Sequence, residues 1–292
     1  MIDSQPVFDA HLHVQPIDRF RPAVRDLVLG AMRPEAHEIV ARGQKDPAVL
    51  LAFLDAEGVD RAVLVNYVAP DVTGTDESVN AWVVAYAKAA PDRLVPMGGV
   101  HPGRVDGPEA ARAAVDAVLA KGIRAFKLHP SHQLVDPLAY LEETPLGRAL
   151  AAVYRRLEER GVPLTVHTGT SVFPGARNRL ADPLLLDDVA VDFPSLTILL
   201  AHAGRPFWYE QAQFLARRHA NVHLELSGIP PKQLLAALPR LGDLADKCLF
   251  GSDWPGPGVP GVAANARGIL ALPLGSEAKA RILWDNAVRV FG

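Results

Sequence analysis

GIRAFKLHPSHQLVDPLAYLEETPLGRALAAVYRRLEERGVPLTVHT, from Gly122 to Thr168, reads as a strand, a helix and a second strand. Gly122–His129 and Val162–Thr168 are short, mostly apolar runs. Such runs are expected where a parallel strand is covered on both faces. Between them, Leu146–Arg160 spaces its Ala, Leu and Arg residues as a helix with one apolar face does. Parallel strands need a crossover of about this length, so the stretch predicts a βαβ unit.

Working outward, six more runs have the same character: Val7–Val14, Val59–Val68, Arg93–His101, Ser195–His202, Asn221–Ser227 and Cys248–Trp254. Helical segments lie among them, including Ser78–Ala90, Pro108–Lys121 and Pro231–Asp246, with a final Ser276–Val290 whose N-cap is Ser276. Strand–helix alternation repeated eight times predicts an α/β fold, a (β/α)8 TIM barrel forming one domain over residues 1–292. The competing doubly wound sheet is disfavoured because no Gly-rich phosphate loop follows any strand. Ile17–Gln44 and Phe173–Leu184 exceed what a barrel needs. Both leave C-terminal strand ends, so they are lid candidates, with a surface excursion the equal alternative.

A chain of 292 residues can bury a large core without disulfides or a structural metal, so a metal site is expected to be functional. Net charge is −3, with acidic and basic residues well mixed and no basic stripe, which argues against nucleic acid or an anionic membrane as partner. The longest apolar stretch, near Leu196–Ala203, falls far short of the about 18 residues that span a bilayer. The single Cys248 fits a reducing compartment, and the opening MIDSQPVFDAHLHV lacks the features of a signal peptide. These readings predict a cytoplasmic protein whose partner is a small-molecule substrate.

Polar residues gather where the predicted strands end. His11 and His13 end the first, Lys127 and His129 the fourth, His167 the fifth, His202 the sixth and Asp253 the eighth. A lone buried histidine is usually a hydrogen-bonded core residue, and a single His-x-His is weak. Independent core histidines should not collect at one end of consecutive strands, however. Burying several polar groups together is costly unless a dication pairs with them. His11 and His13, two apart on a strand, point the same way, and a third imidazole and a carboxylate would complete a ligand set suited to zinc or a similar ion. His11, His13, His167 and Asp253 are therefore the candidate ligands.

DAHLH (Asp9–His13), FKLHP (Phe126–Pro130), VHTG (Val166–Gly169), AHAGRPFW (Ala201–Trp208) and FGSDWP (Phe250–Pro255) resemble the amidohydrolase-related branch of the amidohydrolase superfamily. That branch includes aminocarboxymuconate-semialdehyde decarboxylase, and ILWDNAVRVFG (Ile282–Gly292) looks like the helix that ends its chains. The resemblance implies one catalytic metal on His11, His13, His167 and Asp253. It implies that His202 acts on substrate or water rather than on the metal, and that Asp9 is a supporting group. It leaves a second arrangement open, in which a carboxylated Lys127 bridges two metals. Relatives are often dimers, so a homodimer is expected by analogy alone.

Around these residues, Lys127, His129, Arg205, Trp208 and Trp254 are expected to bind substrate, with Phe207, Tyr67 and Asn66 nearby. An arginine beside aromatics suits a planar, carboxylate-bearing molecule. His101 and His132 read as hydrogen-bonded surface groups, and His37, His219 and His223 as structural. The expected chemistry is hydrolysis of a C–N or C–O bond by metal-activated water, with Asp253 carrying the proton and His202 polarising the carbonyl. Non-oxidative decarboxylation of an unsaturated or aromatic acid is the alternative, a hydratase a third outcome, and a non-catalytic metal-binding barrel the rival outside enzymology.

Overall fold

The computed structural model describes residues 1–292. Its eight strands are β1 (Phe8–Leu12), β2 (Arg61–Leu64), β3 (Leu94–Gly98), β4 (Ala125–Leu128), β5 (Leu164–His167), β6 (Ile198–Ala201), β7 (Val222–Glu225) and β8 (Cys248–Leu249). They follow one another in sequence order, and each strand from β1 to β7 pairs in parallel with the next. The ring closes between β8 and β1. Ala10 N–H donates to the Phe250 carbonyl, Asp253 N–H to His11 and His13 N–H to Trp254. This is the (β/α)8 TIM barrel.

The interior explains why every strand is apolar. Phe8, Ala10, Val63, Val65, Val95, Met97, Ala125, Leu199 and Leu249 form one buried cluster. Side chains from β1 to β4, β6 and β8 meet in one cluster only inside a closed barrel. Ala287 and Phe291 of the last helix (Asn286–Phe291) join it and seal the end opposite the polar residues. A larger apolar cluster fills the space between strands and helices.

Each predicted run contains its strand, but the strands are shorter. His13, His129, His202 and Asp253 stand just beyond the last paired residues, in loops. The backbone turns sharply at two of them, with φ of 65° at His202 and 62° at Asp253. The first strand also carries a slip. Asp9 pairs with Ala62 and Leu12 with Leu64, so β1 spends one extra residue between them. That bulge lets Phe8 and Ala10 face the core while His11 and His13 face the cavity.

Several helix expectations need correction. Pro231–Asp246 is only a turn (Pro231–Gln233) and a short helix (Leu234–Ala237), because Pro239 and Gly242 cannot continue it. The last helical stretch starts from Gly275, and Ser276 is its first helical residue with no capping bond. It runs through a π-helical segment at Arg281–Asp285 before Asn286–Phe291. Ile17–Gln44 folds as a turn and two helices, Pro22–Ala31 and Pro34–Gly43. No helix is long and apolar enough to cross a membrane.

Candidate active site

One cavity of about 320 Å³ opens at the C-terminal ends of the strands. This is within the usual range for small-ligand sites, about 300–1,000 Å³. Its floor is polar, formed by His11, His13, Lys127, His129, His167, His202, Arg205 and Asp253. Its roof is apolar: Leu27, Val28, Ala31, Met32 and Val40 come from the two helices of Ile17–Gln44. Val172 and Phe173 close another side.

The strand register sets the floor. His167 pairs with Ala201, and Ala201 with Glu225, so the three lie in one row and His202 follows directly. Glu225, absent from the sequence-based set, organises this row. Its Oε2 accepts from His11 Nδ1 at 2.6 Å and from Ser227 Oγ at 2.7 Å, and its Oε1 accepts from Ser227 N–H at 2.7 Å. A carboxylate only accepts, so His11 carries its proton on Nδ1 and its Nε2 is a free lone pair. That is the arrangement of a metal-ligating histidine held by a carboxylate. The signal was available in the sequence: Glu225 ends its strand as the other polar residues do. Gly251 is required here because a Cβ would run into Glu225 Oε1 and His11 Cβ.

The network also fixes His202. Its Nδ1 lies 3.2 Å from the Ser227 carbonyl and 2.9 Å from Ser227 Oγ, whose own proton goes to Glu225. A carbonyl only accepts, so the His202 proton sits on Nδ1 and Nε2 is the lone pair. Asp253 is the centre of convergence. Its Oδ1 is 3.2 Å from His13 Nε2 and 3.9 Å from His11 Nε2. Its Oδ2 is 4.0 Å from His202 Nδ1 and 3.8 Å from Arg205 Nη1. His11, His202 and Asp253 present ligand atoms all within 4.8 Å of one another. The tight group is thus His11, His202 and Asp253, with His13 Nε2 3.2 Å from Asp253, while His167, expected among the ligands, stands outside it.

Charge states follow from burial. Burial pushes His11, His129, His167 and His202 below the usual imidazole range, leaving their lone pairs available at neutral pH. Burial alone would raise Asp253, but His202, the hydrogen bond from His13, and His11 hold its carboxyl well below the usual carboxylate range. Lys127 is buried and pulled down to about 8 by desolvation, against the pull of Glu225 and Asp253.

These residues pass a direct test of fit for a divalent ion. His11 Nε2, His167 Nε2 and Lys127 Nζ are buried without a hydrogen-bond partner. An unpaired buried polar group costs about 1–3 kcal/mol, and an ion beside Asp253 would offset that cost at the imidazoles. The donor set, neutral nitrogens plus one carboxylate, matches the chemistry of zinc and similar ions.

Other expected substrate contacts separate. Lys127, His129, Arg205 and Tyr67 line the cavity, whereas Trp208 and Trp254 do not. Trp254 stacks on Phe53 at 4.3 Å, filling space outside the floor. Trp208 precedes the helix Tyr209–Arg218 and its Cβ packs on Gly204. Phe207 is exposed, and Asn66 is tied up with the Val14 carbonyl. Arg205 Nη1 donates to the Gly228 carbonyl at 2.8 Å, and Gly228 leaves room where a Cβ would strike that guanidinium. His132 is not a surface group: it is 3% exposed and lines the cavity. His101 is buried too, with its Nδ1 accepting from Gly103 N–H.

Residues 8–292 match the family model for amidohydrolases. The chain belongs to the amidohydrolase family. Three solved structures share this family member's fold. A TIM-barrel protein of Bordetella bronchiseptica, Bb4693, is 26% identical over 98% of each chain, with a TM-score of 0.73. The 5-carboxyvanillate decarboxylase of Sphingomonas paucimobilis is 20% identical over 99% of each chain, with a TM-score of 0.68. An Acinetobacter baumannii protein described as a probable 2-pyrone-4,6-dicarboxylic acid hydrolase, with citric acid bound, is 17% identical over 98% of this chain and 99% of its own, with a TM-score of 0.65. No curated protein sequence matches the chain.

Proposed function

We propose that the chain is a metal-dependent hydrolase that cleaves a C–N or C–O bond in a small, carboxylate-bearing substrate. The observation that carries this reading is the unpartnered Nε2 of His11, fixed by Glu225 and aimed with His13 at the ionised Asp253. His11, His13, His167 and Asp253 would hold one divalent ion, zinc being the natural candidate. When bound, such an ion polarises an oxygen and lowers the pKa of a bound water from 15.7 toward about 7.

Asp253, kept ionised by its neighbours, accepts a proton from the attacking water and returns it to the leaving group. With Nδ1–H committed to Ser227, His202 faces the reaction as a proton acceptor. It cannot polarise a carbonyl until it has itself been protonated, which revises the carbonyl-polarising role expected of it in a hydrolase. Arg205 and Lys127 supply positive charge for a substrate carboxylate. The apolar helices of Ile17–Gln44 exclude water from the roof.

One feature supports decarboxylation as the second reading. The Arg205 guanidinium lies 3.8 Å from Asp253 on the cavity floor, so a carboxylate bound to it lies at the reacting centre. A panel of lactones, amides and unsaturated carboxylic acids, assayed with carbon dioxide detection, separates the two. Hydrolysis without carbon dioxide is expected. Carbon dioxide release from an acid, with no turnover of lactones or amides, would replace hydrolysis by decarboxylation.

A further inference from the structure

Beside the ligand cluster, His167 begins a column of rings whose outer members the proposed chemistry does not use. His167 stacks on His129 at 3.9 Å, His129 on His132 at 3.6 Å, and His132 on Phe173 at 4.8 Å. The column places His132 6.2 Å from His167, ring centre to ring centre. His132 is hydrogen-bonded on both edges. Tyr67 Oη lies 2.9 Å from its Nδ1, and Ser171 Oγ 2.6 Å from its Nε2. Ser171 Oγ also accepts from Phe173 N–H at 3.2 Å. Tyr67, His132, Ser171 and Phe173 all line the cavity.

A neutral imidazole has one N–H and one lone pair, so the relay has two possible directions. Burial pulls the His132 imidazole down to about 3, so the ring is neutral. If His132 donates to Tyr67, the phenol proton is left without a protein acceptor at a residue that is 6% exposed. If Tyr67 donates to Nδ1, the proton on Nε2 goes to Ser171, and the unpaired proton is the serine's, at the end of the relay that water reaches. Burial favours the second direction, because an unsatisfied donor is tolerated where solvent can take it. Ser171 Oγ then accepts twice, from His132 and from Phe173, so its own proton can only be donated into the cavity.

We infer that Ser171 is a dedicated hydrogen-bond donor, held in that role by Tyr67 and His132, and that it recognises an acceptor oxygen at the substrate end away from the metal ligands. The substrate class is then a carboxylate that carries a second oxygen acceptor, a carboxylate or carbonyl, at its other end. A donor group such as an amine is disfavoured at that position, because it would face the Ser171 proton. The inference rests on the reading that a carboxylate-bearing molecule occupies this cavity. Tyr67 and His132 are positioning residues, and Ser171 touches the ligand.

The test uses the metal-loaded protein with two rigid probes, terephthalate and 4-aminobenzoate, which differ at one end in being acceptor or donor. Calorimetry should show tighter binding of terephthalate. Ser171→Ala should weaken terephthalate roughly tenfold to a hundredfold, the scale of a hydrogen bond to a charged group, and leave 4-aminobenzoate within about twofold. Tyr67→Phe, which keeps the ring and frees the tautomer, should reduce the preference between the probes. Nitrogen NMR of His132 should find the proton on Nε2 in the unaltered protein. A proton on Nδ1, terephthalate that fails to bind, or a preference that survives in Ser171→Ala would each overturn the inference. Metal content and turnover of the lactone and amide panel, measured on the same samples, show separately whether the hydrolase reading stands.

Discussion

His202 and Asp253 are non-glycine residues with left-handed backbone, φ of 65° and 62°, on the segments that follow β6 and β8. Such conformations cost about 1–3 kcal/mol and persist where surrounding structure enforces them, often at working sites. Asn tolerates this region well, which gives a clean substitution. His202→Asn should leave the barrel folded and the metal at full occupancy, and lower turnover about a hundredfold to ten-thousandfold through loss of the proton acceptor. Loss of the metal instead would move His202 into the ligand set, where its position within 4.8 Å of His11 and Asp253 makes it the obvious fifth group. At this scale the polar residues of five strand ends were legible in the sequence, while Glu225 at the end of β7 stood outside that set. The sequence did not announce which would touch. Trp254 lies next to Asp253 in sequence yet stacks on Phe53, since a turn between them sends consecutive side chains to opposite sides. His132, which reads as a surface group, instead lies in the short buried helix Pro130–Gln133 and stacks on Phe173.

Between elements, the closure of β8 on β1 depends on Asp9. Its Oδ1 accepts from His11 N–H at 3.0 Å and Ser252 N–H at 2.9 Å, and its Oδ2 accepts from Ser252 Oγ at 2.6 Å. Burial nevertheless raises the carboxyl to about 7. The folded chain therefore retains a proton that the unfolded chain, titrating near 3.8, has already lost. That contribution to stability is complete below about 3.8 and is lost as pH rises through about 7. Asp9→Asn cannot ionise, keeps an oxygen for both N–H groups and can donate to Ser252 Oγ. In chelator-treated protein its melting temperature should gain on that of the unaltered chain between about pH 4 and about pH 7 and then level off. A difference that stays constant with pH would contradict this. Asp9→Ala, stranding two buried N–H groups, should cost roughly 2–4 kcal/mol at any pH. The supporting role of Asp9 was legible, but the bulge between Asp9 and Leu12 was not. A slip of register leaves no mark on an apolar run, because it appears only when β1 meets β2.

Over the whole molecule, stability and chemistry are placed at opposite ends. Phe8, Phe291 and Trp284 pack together at the closed end, with Arg61 over the Phe8 ring, while the cavity occupies the other. The architecture was legible because buried parallel strands must be apolar along their whole length, and eight such runs admit few topologies. The region from Pro231 to Asp246 was not, because its apolar periodicity continued through Pro239 and Gly242, which break the helix. The division of labour predicts that emptying the site leaves the barrel intact, since its apolar clusters do not involve the cavity floor. The central claim is that this floor is a metal centre, and elemental analysis of protein purified without chelators tests it most directly. The account predicts one divalent transition-metal ion per chain, lost on His11→Ala or on chelation together with activity, with the fold retained and activity restored by adding metal to the unaltered chain. Protein that holds no such ion and keeps full activity in chelator would contradict it, and two ions per chain with a carboxylated Lys127 would contradict the single-metal arrangement.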